Sequence, residues 1–157
     1  MSPIEGVRFG HVNVTTPDWR RLVAFYTDVF GCEFVPPERD IQGEHLDRAT
    51  GLRDAHLTGA HLRLPGHGPD GPTIEIFSYD ALDPHVGANV ARAGWGHVAF
   101  QVPYVPTAVE AVVAAGGGRL GEVITTRTSD GRQVTWGYVT DPDGNIVELQ
   151  AWSAAEN

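Results

Sequence analysis

The chain has 157 residues, 41% hydrophobic, with 20 acidic side chains against 11 basic ones and a formal charge of −9. That length suits one domain or two small fused halves and can bury a core. The acidic balance, with no basic run, disfavours nucleic acid and anionic membranes as partners. A single cysteine, Cys32, leaves no intrachain disulfide and no CxxC metal site. No apolar run approaches the ~18 residues of a membrane span. The opening MSPIEGVRFG lacks the basic and apolar regions of a signal peptide. A cytoplasmic protein acting on a small-molecule substrate is expected.

Val7 to Val14 reads as a strand, with Phe9, His11 and Asn13 on one face and Val12 and Val14 on the other. Thr16-Pro17-Asp18 predicts a helix start, with Thr16 as N-cap and Pro17 in the first turn. The helix runs through WRRLVAFYTDVF and closes at Gly31. A short strand at Glu33 to Val35 is expected to stop at Pro36-Pro37. Pro36 to Asp54 then reads as a long polar loop with a short helix near His45 to Thr50, and long loops in compact domains are often functional. His56 to Leu64 alternates as a strand, PGHGPDGP is a turn, and TIEIFSY (Thr73 to Tyr79) is a further strand.

After a connector, Asp80 to Ala93, the pattern restarts. Trp95 to Val102 is a strand. Thr107 to Ala115 is a helix with Val109, Val112 and Val113 facing inward, stopped by Gly116-Gly117-Gly118. Arg119 to Arg127, Gln133 to Thr140 and Ile146 to Trp152 are strands, the last entered through the Asp141 to Gly144 turn. Each half therefore reads strand, helix, three strands, and the two Gly-His-Val strands lie 86 residues apart. The predicted class is α+β: a first module over 1–80, a connector over 81–93 and a second module over 94–157.

Each half places one histidine on its first strand and one glutamate on its last: His11 and Glu75, then His97 and Glu148. All four sit between apolar neighbours, so alternation turns them away from the helices and into a shared concavity. A buried carboxylate protonates, pairs or binds a metal. Two imidazoles and two carboxylates form a charge-neutral shell for a divalent ion. The set lacks thiolate and suits Zn, Ni, Co, Mn or Fe alike. A single strand histidine is more often a packed core residue than a ligand; four such residues at matching places in two modules are what carries the metal reading.

These residues resemble the vicinal oxygen chelate superfamily, which holds glyoxalase I, methylmalonyl-CoA epimerase, extradiol dioxygenases, fosfomycin-resistance enzymes and bleomycin-binding proteins. The likeness rests on GHVNVTTPDWRRLVAFYTDVFGCEF, TIEIFSY, GWGHVAFQV and YVTDPDGNIVELQAW. It implies paired βαβββ modules around one metal held by His11, Glu75, His97 and Glu148. It also implies a homodimer. A carboxylate at Glu75 looks like the glyoxalase/epimerase branch, with Zn, Ni, Co or Mn expected before Fe. Glu148 is the expected base, with Glu75 as the second catalytic carboxylate. Asn13, Trp95, Gln101, Arg132, Trp136 and Tyr138 are the candidate substrate residues, although the aromatic ones also suit sheet packing.

Three functions fit this pattern. The first is a metal-dependent lyase or isomerase moving a proton beside a metal-bound carbonyl. The second is an Fe(II) extradiol-type dioxygenase, whose open iron face a fourth protein ligand at Glu75 would crowd. The third is a non-catalytic binding or antibiotic-resistance protein, which needs no metal. The intact ligand set favours the first.

Overall fold

A computed structural model describes residues 4–153; the outermost residues of the two expected modules, 1–3 and 154–157, lie outside it. The chain divides into two compact units, Met1–Asp83 and Pro84–Asn157. In the first, the order is β1 (His11–Thr15), α1 (Trp19–Phe30), β2 (Glu33–Gln42), α2 (Glu44–Thr50), β3 (His56–Arg63) and β4 (Thr73–Tyr79). In the second it is β5 (Val98–Gln101), α3 (Val105–Ala114), β6 (Gly118–Arg127), β7 (Gln133–Thr140) and β8 (Ile146–Ser153). The sheets are ordered β1-β4-β3-β2 and β5-β8-β7-β6. In each, the first and last strands pair in parallel and the remaining pairs are antiparallel. Each unit is thus a four-stranded mixed sheet with helices, α+β as expected.

Burial follows the alternation of the strands. Ile74, Ile76, Ala60 and Leu62 are buried beneath α1, which packs on β3 and β4 through Leu22, Phe25 and Tyr26. Val147 and Leu149 are buried in the second unit, where α3 packs on β6, β7 and β8. Val105, Val109 and Val112 form the inward stripe of α3. The expected Val113 is exposed instead, one residue round the helix from the Val105, Val109 and Val112 stripe that meets the sheet.

Several boundaries differ from expectation, each for a physical reason. β1 is short because its partner β4 begins at Thr73, opposite His11. Val7 and Phe9 therefore have no strand beside them and are exposed. β5 likewise starts at Val98, leaving Trp95 and also His97, expected on this strand, ahead of the ladder. The N-cap of α1 is Asp18, whose carboxylate accepts the Arg21 N–H at 3.1 Å. Thr16 is fully buried, and its hydroxyl accepts the Asp18 N–H. Pro36-Pro37 do not end β2. They sit on an outer strand, where a missing N–H breaks no inner ladder, and pairing resumes at Arg39. The ladder breaks at the matching place in β6, between Leu120 and Ile124.

The segment expected as a loop, Pro36 to Asp54, is therefore mostly strand and helix. Leu46 of α2 packs with Ala55, Leu57 and Phe77, flanked by Ile41 and Tyr79, as a small second core. His56 closes this end of the sheet, with Nε2 2.8 Å from Asp40 and Nδ1 3.0 Å from Asp80. Hydrogen bonds to these two carboxylates raise its pKa above the ordinary 6.5. The folded state then holds the proton more tightly than the unfolded one. Its stabilisation is full below the unfolded value and is lost as pH rises through the raised folded value. Urea midpoints of the wild type are expected to fall between about pH 6 and pH 8, with His56→Gln showing a flatter profile. Parallel profiles would mean that the staple contributes nothing.

Candidate metal and catalytic site

In the first unit, parallel pairing of β1 with β4 sets Asn13 beside Glu75, with His11 two residues earlier on the same face. On the other side, β3 pairs His61 directly with Glu75. The carboxylate of Glu75 meets three side chains. Its Oε2 lies 3.3 Å from His11 Nε2 and accepts from Asn13 Nδ2 at 3.4 Å, while its Oε1 lies 3.1 Å from His61 Nε2. Glu75 and His61 are largely buried, whereas His11 is half exposed, so the cluster has one open side.

Phe77, from the small second core, stands 5.7 Å from the His61 ring and forms an apolar wall beside it. That wall comes close because Gly59, paired with Phe77, has no side chain. A Cβ there would sit 2.2 Å from the Ile76 carbonyl oxygen and 2.5 Å from the Phe77 ring. Burial lowers the pKa of His61; the Glu75 charge opposes that shift, and Arg39 and His11 add to it. The imidazole is therefore biased toward its neutral form, the state that can hydrogen-bond a carboxylate from one nitrogen only.

The second unit repeats this arrangement in register. β5 and β8 set Ala99 beside Glu148, with His97 two residues earlier, and β7 pairs Tyr138 with Glu148. His97 Nε2 lies 2.9 Å from Glu148 Oε2. The Tyr138 ring is 5.2 Å from His97, and Trp136 packs edge-on to Tyr138 at 5.6 Å. Tyr138 thus occupies the place that His61 holds in the first unit.

The structure brings His11 to Glu75 and His97 to Glu148, with Asn13 at the first pair and Tyr138 and Trp136 at the second. The other candidates lie apart from these pairs. Trp95 is fully exposed. Gln101 ends β5, paired in register with Gln150. Arg132 sits on the β6–β7 turn with Nε 2.8 Å from Asp130 and its guanidinium 4.6 Å over the Trp152 ring. Hydrogen bonds from Thr128 and Arg132 hold Asp130 down to about 2.

Outside the four-ligand pattern, the histidine that the sequence marks is His61, because its strand is expected beside that of Glu75. Its signal lies in hairpin symmetry: His61 and Glu75 are equally far from Gly68, the middle of the PGHGPDGP turn. Apart from the contacts of His11 and His61 with Glu75, no group of three or more His, Cys, Asp or Glu is gathered among the described residues. Each unit contributes one histidine–glutamate pair of the four expected ligands. The donors nonetheless fit a divalent ion in kind: imidazole nitrogens lie 3.3 and 2.9 Å from carboxylate oxygens, a nitrogen and oxygen set without thiolate. Cys32 is no competitor, since it is buried and its thiol is pushed up to about 11.

Two βαβββ units with matching His and Glu positions define the class. The chain belongs to the Glyoxalase/Bleomycin resistance protein/Dioxygenase superfamily, whose family model matches residues 8–149. A 2-epi-5-epi-valiolone epimerase from an Actinomyces species is 33% identical over 148 residues, spanning 88% of this chain and 76% of that protein. Among solved structures, a glyoxalase family protein from Bacillus cereus superposes with a TM-score of 0.81 at 19% identity, covering 98% of this chain and 99% of its own. A glyoxalase I variant from Zea mays gives a TM-score of 0.62 at 23% identity, covering 95% of this chain and 45% of the maize one. A variant of the fosfomycin resistance protein of Listeria monocytogenes, solved with Mn(II) and a phosphonic acid, gives a TM-score of 0.52 at 19% identity over 94% of this chain and 93% of its own. Among the described residues, no helix is long and apolar enough to cross a membrane.

Proposed function

We propose that the chain is a metal-dependent isomerase of the epimerase type, moving a proton on the carbon beside the carbonyl of a small ketone. The observation that carries this reading is the repeated histidine–glutamate pair, set at the same strand register in both units. The relative named as an epimerase of a ketone supports the reaction type. His11 and Glu75 in the first unit and His97 and Glu148 in the second are the residues that would serve as metal ligands, for Zn, Ni, Co or Mn before Fe. When bound, the ion supplies a Lewis acid for the substrate oxygen.

The chain's own groups do the rest. Glu148, whose carboxylate meets only His97 among the described residues, accepts the proton as general base. Solvent water returns a proton to the opposite face of the same carbon while Glu148 gives the proton it took up to solvent, which completes epimerisation with no redox change and no second substrate. Asn13 and Tyr138 stand within the contacts of the two pairs and are the residues set to touch substrate, with Trp136 extending the aromatic side.

The test is proton exchange. In D2O, metal-loaded protein is expected to wash deuterium into the carbon beside the carbonyl of 2-epi-5-epi-valiolone, read by proton NMR together with the appearance of an epimer. Stoichiometric binding of the ketone without any exchange would replace the enzyme by a binding protein.

A further inference from the structure

The two carboxylates of the repeat are held differently. Glu75 is met by three side chains, His11 and Asn13 at Oε2 and His61 at Oε1. Among the described residues Glu148 is met by one, His97 at Oε2. The difference traces to two pairs of equivalent positions, Asn13 against Ala99 and His61 against Tyr138. His61 on β3 and Tyr138 on β7 occupy the same register opposite the two glutamates. His61 reaches its glutamate, whereas Tyr138 packs against the His97 ring instead. We propose that His61 is a positioning residue that fixes Glu75 as a permanent ligand and so leaves Glu148 as the carboxylate free to move.

The inference rests on the metal-dependent reading above. A carboxylate only accepts hydrogen bonds, so His61 must present Nε2–H to Oε1. That bond ties down one oxygen and leaves Oε2 facing His11, the geometry a ligand needs. Carboxylate ligands are commonly oriented by such outer partners, and losing one typically weakens metal binding about 10–100-fold. Phe77 and the small core behind it set the His61 ring in place. A carboxylate with a single partner rearranges at lower cost, which is what a group alternating between ligand and base requires.

The experiment compares His61→Gln with His61→Asn. The Gln amide nitrogen reaches the place of Nε2, whereas the Asn amide is one methylene too short. Both are polar and tolerated at a partly exposed strand site. Zn²⁺ affinity is measured by competition with a chromophoric chelator, and the melting of the metal-free proteins serves as the fold control. His61→Asn is expected to bind Zn²⁺ about 10–100-fold more weakly, and His61→Gln to stay within about threefold of wild type, with all three metal-free proteins melting alike. Should the Asn variant not fold, His61→Leu, equally unable to donate, takes its place. A donor-less variant that binds Zn²⁺ as tightly as wild type overturns the tether and leaves the isomerase standing. Wild-type protein that takes up no divalent ion sinks both.

Discussion

Glu148→Gln is expected to slow proton exchange by the metal-loaded protein about 10²–10⁴-fold, the usual worth of a positioned general base. The amide keeps the shape of the side chain and an oxygen that faces His97, but it cannot take up a proton. Glu148 lies on the face opposite Val147 and Leu149, so the buried side of β8 is untouched. The melting temperature of the metal-free variant should therefore stay within about 2 °C of wild type. Glu75→Gln should behave differently. Its three partners mark it as a held ligand, so its loss should be felt first as weaker metal binding and only then as slower exchange. An activity assay at rising Zn²⁺ separates the two: excess metal recovers part of the Glu75→Gln rate and none of the Glu148→Gln rate. A Glu148→Gln protein that exchanges deuterium at the wild-type rate would remove Glu148 from the chemistry.

Much of this site was legible because both signals it uses are periodic. Alternation along TIEIFSY and IVELQAW places the glutamates opposite the buried residues, and the repeated Gly-His-Val places the histidines. The reading failed where a feature depends on another strand. The start of β1 is set by where β4 begins, which nothing in Val7 to Gly10 reveals. Pro36-Pro37 stop a strand in the interior of a sheet but not on its outer edge, and edge position is a property of the sheet order. Thr16 and Asp18 are both good caps by composition. Burial of Thr16 against β4, with its N–H bonded to the Phe77 carbonyl, leaves Asp18 to cap the helix. His61 lies between these cases, since the neighbouring of its strand with that of Glu75 is legible while the direct contact with the carboxylate is not. Its strand was clear, but its pairing with Glu75 required counting outward from the turn. Tyr138 and Glu148 show the same symmetry about Asp143 in the second unit.

The residue next to Glu148 supplies the second large effect, with the opposite signature. Leu149 is fully buried, on the face of β8 that α3 covers with Val105, Val109 and Val112. Its partner across the ladder is Gly137, which has no side chain that could turn into a vacated space. Backbone atoms of Val123 and Glu122 already lie 3.3 and 3.4 Å from where a Gly137 Cβ would be, so that strand has little room to shift. Leu149→Ala should therefore leave an unfilled cavity and cost about 2–5 kcal/mol, toward the upper half of that range. Ile76→Ala, buried at the corresponding face of β4, should cost a similar amount in the first unit. Guanidinium unfolding gives both values. At temperatures where Leu149→Ala remains folded, its exchange rate per metal-loaded molecule should match wild type, because the side chain removed points away from the carboxylate. One residue along β8 thus separates loss of chemistry from loss of fold. A Leu149→Ala cost below about 1 kcal/mol would contradict the burial that sets this face of the strand apart from the other.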